Sequence, residues 1–252
     1  MTSSWLVSVP WHQDVRLAAG TVPIVAPART VEPELPAGDV WERMAVLHGA
    51  VADEVAAVVR GGGRPTVVSG DCLVSAGVLT GLQRAGLDPA VVWFDAHGDV
   101  HTLATSTSGY LGGLSLRLLL GADPDLLAGR LGLRPLAEER AVLVGARDVD
   151  PAEREFLAGS AVRQLDVDAL DPDALPDGPL LLHVDVDVID AGHLPGLLFP
   201  APAGPSAEQV LDALARVVGT GRVVAVDAAC TWRAGPDDGG VRAALLGRLA
   251  QL

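Results

Sequence analysis

Cysteine is nearly absent. Cys72 and Cys230 are the two in 252 residues, too few for a disulfide framework and better suited to local site chemistry. Basic residues are also scarce: 18 Lys and Arg stand against 32 Asp and Glu, for a formal net charge of -14. With no basic cluster to neutralise phosphates, nucleic acid and anionic membranes are excluded as partners. No apolar run approaches the roughly 20 residues of a membrane span, and the N-terminus lacks the basic flank and apolar stretch of a secretory signal. These absences point to a cytoplasmic protein that acts on a small molecule. What is abundant is apolar material, 49% of the chain, enough for one large core, so residues 1–252 are expected to form a single domain.

Short β-branched or apolar runs alternate with longer segments of helical period, the pattern of parallel strands joined by crossover helices. Strands are expected at residues 6–9, 66–69, 90–94, 141–145, 180–184 and 223–226, with a weaker one at 162–165. A helix is expected over Val40–Arg60, opened by Asp39 and Glu42 in capping-box spacing and stopped by Gly61-Gly62-Gly63. A second capping pair, Ser206 and Gln209, opens a helix running to about Val218. Residues 20–38 and 191–205, rich in proline, are read as loops.

Acidic residues gather where these strands end. Trp93-Phe94-Asp95-Ala96-His97-Gly98-Asp99 and His183-Val184-Asp185-Val186-Asp187 each follow a buried-looking apolar stretch. In extended chain, residues two apart share a face, which puts Asp95, His97 and Asp99 together and Asp185 with Asp187. Four carboxylates crowded around one point repel one another unless cations sit between them, and carboxylate with imidazole suits manganese, iron or zinc. The pattern reads as a two-metal site for hydrolytic chemistry. The plain alternative is a solvated acidic loop, and five such residues at strand ends argue against it. Ligands of an open parallel sheet bind beyond the carboxyl ends of its strands, and Cys72, Asp148, Asp150 and Cys230 follow three further ends. His183 is expected under the site, while His12, His48 and His193 form no constellation and are expected on the surface or in loops.

Taken in order, Asp95-Ala96-His97-Gly98-Asp99, Gly145-Ala146-Arg147-Asp148-Val149-Asp150-Pro151 and His183-Val184-Asp185-Val186-Asp187 resemble the signature blocks of the ureohydrolase family, which includes arginase, agmatinase and formimidoylglutamase. The resemblance implies a three-layer α/β/α arginase-like fold with a mainly parallel eight-stranded sheet. It implies two Mn²⁺ per chain bridged by a hydroxide that attacks a guanidinium or amidine carbon. Asp95 and Asp185 would bridge both ions, Cys72 and Asp99 would complete the first, and His97 and Asp187 the second; catalysis would rest on Asp95, Asp99 and Asp185. His101, Ser106 and Ser108 would meet a substrate carboxylate, Asp150 an α-amino group, and Cys230 would lie at the substrate's guanidino end. Tyr110 and Trp232 would wall the pocket, with Arg233 as a cation for a second carboxylate. Family members are often trimers or hexamers, so a homo-oligomer is among the expectations.

Three departures bear on substrate and metal. Ser69-Gly70-Asp71-Cys72 has cysteine where the family has a histidine ligand; at a helix N-terminus beside cations this thiol is expected to ionise and to draw zinc or iron as well as manganese. Gly112 stands where arginases carry a histidine for proton transfer. Cys230, three residues after Asp227, replaces a glutamate that anchors guanidinium. The first two departures resemble the hydroxyarginine-hydrolysing branch of the family in cycloserine biosynthesis. A hydroxyguanidine has a lower pKa and a better leaving group, so it needs less proton delivery. A hydrolase of arginine- or hydroxyarginine-like compounds is therefore expected, the alternative being a catalytically silent relative that binds a guanidino metabolite.

Overall fold

A computed structural model describes residues 4–24, 26–235 and 237–252. The strands are β1 (Ser4–Val9), β2 (Trp11–His12), β3 (Val15–Arg16), β4 (Arg29–Thr30), β5 (Arg64–Ser69), β6 (Ala90–Phe94), β7 (Ala141–Val144), β8 (Arg163–Leu165), β9 (Leu180–Asp185) and β10 (Val223–Ala229). The helices are α1 (Val40–Arg60), α2 (Ser75–Arg84), α3 (Ser115–Leu119), α4 (Ala128–Leu131), α5 (Pro151–Gly159), α6 (Ala207–Gly219) and α7 (Val241–Leu249). Eight strands form one sheet in the order β4-β1-β5-β10-β9-β6-β7-β8, and every neighbouring pair is parallel. β2 and β3 form a separate antiparallel hairpin.

Alternation along the strands divides the core into two layers. Val91 and Trp93 of β6 and Leu181 of β9 join Met44, Leu47, Val51 and Val55 of α1 and Leu79 and Leu82 of α2 on one side. Val92, Phe94, Leu180, Leu182 and Val184 face the other side with Val210 and Leu214 of α6 and Leu245 and Leu246 of α7. The result is the expected three-layer α/β/α arrangement. No helix of the described residues is long and apolar enough to cross a membrane.

Two local expectations are corrected. Residues 20–38 are not wholly loop, because Arg29 and Thr30 pair with Val7 and Ser8 as an edge strand, a piece too short to carry a period of two. His48 is not on the surface: it lies on the buried face of α1 at 0% exposure, its ring nitrogens have no partner among the described residues, and burial pushes it down to about 3. The imidazole is therefore neutral and serves as a core filler.

The capping box at Asp39 and Glu42 forms as its spacing requires, and α1 packs on α2 at close range because α2 presents glycines. A Cβ at Gly81 would lie 2.6 Å from the Ala52 carbonyl oxygen and 2.7 Å from Val55. Gly81→Ala is therefore expected to lower stability, since overpacking costs about 1–3 kcal/mol against a gain in helix propensity of about 1 kcal/mol. Gly49→Ala in α1, where a Cβ meets nothing within 4 Å, is expected to raise it. Denaturant midpoints that move the same way in both variants would contradict this account of the helix contact.

Candidate metal centre

Four parallel strands end at one rim, and their last residues turn inward. At the end of β6, Asp95 is 1% exposed and accepts from the Trp93 indole N–H at 3.0 Å and from the His97 backbone N–H at 2.7 Å. At the end of β9, Asp185 accepts from the Asp187 backbone N–H at 2.9 Å, which tightens a single 3-10 turn over Val186–Val188. That turn brings Asp187 back to β6, where it accepts from the Ala96 N–H at 3.2 Å. His97 Nδ1 lies 3.1 Å from Asp187 and 3.4 Å from Asp95. Asp99 is buried, with φ +52° in the left-handed region and no hydrogen-bond partner for Oδ2 among the described residues.

The ionisation of these groups follows from crowding. Burial would lower the His97 imidazole, but Asp187 and Asp95 outweigh it and push it up to about 12. Burial and Asp95 push Asp187 up to about 6 against the pull of His97. Burial, with neighbouring carboxylates, holds Asp99 and Asp185 well above the usual carboxylate range.

Cys72 follows β5 in a single 3-10 turn (Cys72–Val74) that leads into α2, and Asp71 fixes this corner by accepting from the N–H groups of Leu73 at 2.7 Å and Gln13 at 2.9 Å. The expected thiolate depends on cations beside it, and the protein's own groups supply the opposite charge. What surrounds Cys72 is carboxylate: its thiol donates to Asp185 Oδ2 at 2.9 Å, and burial with Asp185, Asp99 and Asp95 pushes it well up. Without a cation the sulfur keeps its proton.

Beneath the rim, His183 stacks on Trp93 with ring centroids 3.5 Å apart, and its Nδ1 lies 2.8 Å from Asp227 of β10. This support beneath the acids is where His183 was expected. Arg147, beyond β7, braces the turn after β9 by donating to the carbonyls of Val188 at 3.0 Å and Ala201 at 3.0 Å.

The acids open into a cavity of about 260 Å³ lined by Cys72, His97, Asp99, Asp185 and Asp187 at one end and by His101, Ser108, Tyr110, Asp148, Asp150, Glu153, Phe199 and Thr231 elsewhere. A larger cavity of about 490 Å³ near Arg147 and Arg216 contains none of the expected site residues. Three groups bring ligating atoms within 4.8 Å of one another: Cys72, Asp95 and His183; Asp95, His97 and Asp187; and His101, Asp150 and Glu153.

Several expected contacts do not reach the cavity. Cys230 is 1% exposed, its sulfur lies nearest the Ala228 carbonyl at 3.9 Å, and it packs beside the site without lining it. Ser106 is held in a turn, its N–H bonded to the Thr102 carbonyl, and does not line the cavity. Trp232 is buried in the core under the Arg242 guanidinium, and Arg233 is exposed with its guanidinium toward the Leu198 carbonyl. Glu153 is the residue that sequence reasoning missed. It is 4% exposed and accepts from the Val100 N–H at 3.2 Å and the Asp150 N–H at 3.0 Å. Its signal was available, since Asp150-Pro151-Ala152-Glu153 has capping-box spacing at the start of α5.

The model of the "Arginase family" matches residues 14–231. An arginase of Eremothecium gossypii is 30% identical over 195 residues, covering 70% of this chain and 48% of that protein. An N(omega)-hydroxy-L-arginine amidinohydrolase of Streptomyces lavendulae is 36% identical over 151 residues, covering 58% of this chain and 53% of that protein. The chain thus spans about half the length of the curated relatives it matches. Among solved structures, Bacillus cereus arginase superposes with a TM-score of 0.81 at 22% identity, covering 99% of this chain and 97% of that one, a likeness of fold. On this match of most of its length, the chain belongs to the arginase family.

Proposed function

We propose that this chain is a metal-dependent hydrolase that cleaves a linear C–N bond in a guanidino or amidino compound, with hydroxyarginine-like substrates first. The observation that carries the reading is the meeting of Asp99, Asp185 and Asp187 with an imidazole and a thiol at the end of one cavity, and of Asp95 against that imidazole, each carboxylate at most 6% exposed. The residues fit a cation pair on their own terms. Asp99 Oδ2 is buried without a partner, the carboxyls must take up protons to coexist, and oxygen, nitrogen and sulfur donors together suit manganese, zinc or iron. Asp95 and Asp185 would be shared by both ions, Cys72 and Asp99 would serve one, and His97 and Asp187 the other. When bound, such a pair supplies Lewis acidity and a water acidified toward neutral pH.

The chain's own residues do the rest. The turn at Val186–Val188 and the brace of Arg147 fix the carboxylates before a ligand arrives, which avoids reorganisation during the reaction. His101, with Nε2 at 3.1 Å from Asp150 and 3.9 Å from Glu153, gathers polar groups where an amino-acid head group would sit, and Ser108 lines the same cavity. At the other end no carboxylate stands at position 230 to hold a guanidinium, which favours a less basic hydroxyguanidine over arginine. The relative named for hydroxyarginine hydrolysis supports this choice. Both cysteines are free, in keeping with a reducing cytoplasmic setting.

Two predictions follow the acids. Burial and Asp95 push Asp187 from an ordinary 3.8 up to about 6, so its contribution to stability is present below the lower value and lost as pH rises through the higher; Asp99 and Asp185 are shifted in the same sense. Raised His97 also loses its contribution as pH climbs, while lowered Asp95 acts oppositely, at acid pH only. The metal-stripped protein is therefore expected to melt at lower temperature as pH is raised from about 5.5 to about 8, and Mn²⁺ to restore the midpoint at the upper value. A midpoint that rises with pH and ignores Mn²⁺ would refute the account.

The second prediction concerns metal content and turnover. The Mn²⁺-loaded protein is expected to hold two ions per chain and to release hydroxyurea or urea from Nω-hydroxy-L-arginine or L-arginine. Cys72→His should keep or improve manganese content, and Cys72→Ala should lower it. One ion or none, with tight binding and no product, would identify the silent relative instead; full metal content in Cys72→Ala would remove the sulfur from the ligand set.

A further inference from the structure

Tyr110 is the one tyrosine in the chain, and the local structure is arranged to hold its ring in the cavity wall. Gly112 has no side chain, and a Cβ built there would meet the Tyr110 ring at 2.4 Å and its hydroxyl at 2.6 Å. The phenol therefore occupies the volume that any larger residue at position 112 would claim. Phe199 packs against it at 4.5 Å between ring centroids, and His12 stacks on it at 5.7 Å. His12 is itself anchored, with Nδ1 at 2.8 Å from the Gly70 carbonyl oxygen. Two aromatic neighbours from separate segments thus fix one orientation of a ring that lines the same cavity as Cys72, Asp99 and Asp185.

The hydroxyl makes no hydrogen bond among the described residues. A phenol hydroxyl is a hydrogen-bond donor at neutral pH. A guanidinium offers only N–H donors to such a wall. An N-hydroxyguanidino group adds one oxygen that accepts.

We propose that Tyr110 is a specificity-determining residue of this site, its hydroxyl donating a hydrogen bond to the oxygen of an N-hydroxyguanidino head group, and that Gly112 is glycine to make room for it. The assignment rests on the hydrolase reading above and deepens it. A site that hydrogen-bonds a substrate hydroxyl discriminates against the analogue that cannot make that bond.

The test compares wild type with Tyr110→Phe, which keeps the ring and its packing. With the Mn²⁺-loaded enzyme, kcat/KM for Nω-hydroxy-L-arginine is expected to fall about tenfold, the worth of one such bond, while that for L-arginine changes by less than about threefold. Equal losses on both compounds, or no loss on the first, would overturn the proposal. A second measurement does not depend on turnover. With fluorotyrosine incorporated, the Zn²⁺-loaded protein gives one ¹⁹F resonance, from position 110, which is expected to shift with Nω-hydroxy-L-arginine and to stay in place with L-arginine. No turnover in wild type would defeat the hydrolase reading while this shift still decided Tyr110; an unmoved resonance beside normal turnover would defeat Tyr110 alone.

Discussion

Repulsion among carboxylates that cannot reach water is the constraint on which this structure turns. Asp95, Asp99, Asp185 and Asp187 are all buried at one rim, and isolated buried charge is among the most costly features a fold can carry. The protein meets that cost in part from within. Backbone N–H groups of Ala96, His97 and Asp187 point at the acids, the Trp93 indole donates to Asp95, and His97 stands between two of them. Those partners leave the cluster short of positive charge, as the upward shifts of Asp99 and Asp185 record. On the proposed reading a pair of cations would complete the balance, and the shortage that makes the metal-free cluster unfavourable would give it affinity for metal.

The sheet makes the crowding possible. Parallel strands deliver all their carboxyl ends to one side, so β6 and β9, hydrogen-bonded neighbours, place their terminal aspartates beside each other without a long loop. Crossover helices cover both faces and keep water from the strands, and the cavity is left as the opening above their ends. The cavity has a polar end, where His101, Asp150 and Glu153 meet, and an aromatic wall of Tyr110 and Phe199.

Much of this was legible in the sequence, for identifiable reasons. Short continuous apolar runs marked β5, β6, β7 and β9, and residues two apart beyond β6 and β9 gave the acids that converge. What escaped was of four kinds. β4 is two residues long and exists only through its pairing with β1. His48 and Trp232 were misplaced because a polar or amphipathic side chain gives no sign of which way its backbone turns, and both point into the core. The carboxylates around Cys72 were not foreseen because a helix N-terminus is local, whereas the acids that hold its proton without a cation arrive from β6 and β9, far away in the chain. Glu153 was overlooked although its capping-box spacing was visible, since a cap is ordinarily structural and only the fold puts this one in a cavity wall.

The central claim is that the acids at the ends of β6 and β9 are caged around two cations. An anomalous difference map from a crystal grown with Mn²⁺ tests it most directly. The account predicts two peaks, both flanked by Asp95 and Asp185, one beside Cys72 and Asp99 and the other beside His97 and Asp187. A map without peaks there, with the four carboxyls turned away from one another, would contradict it.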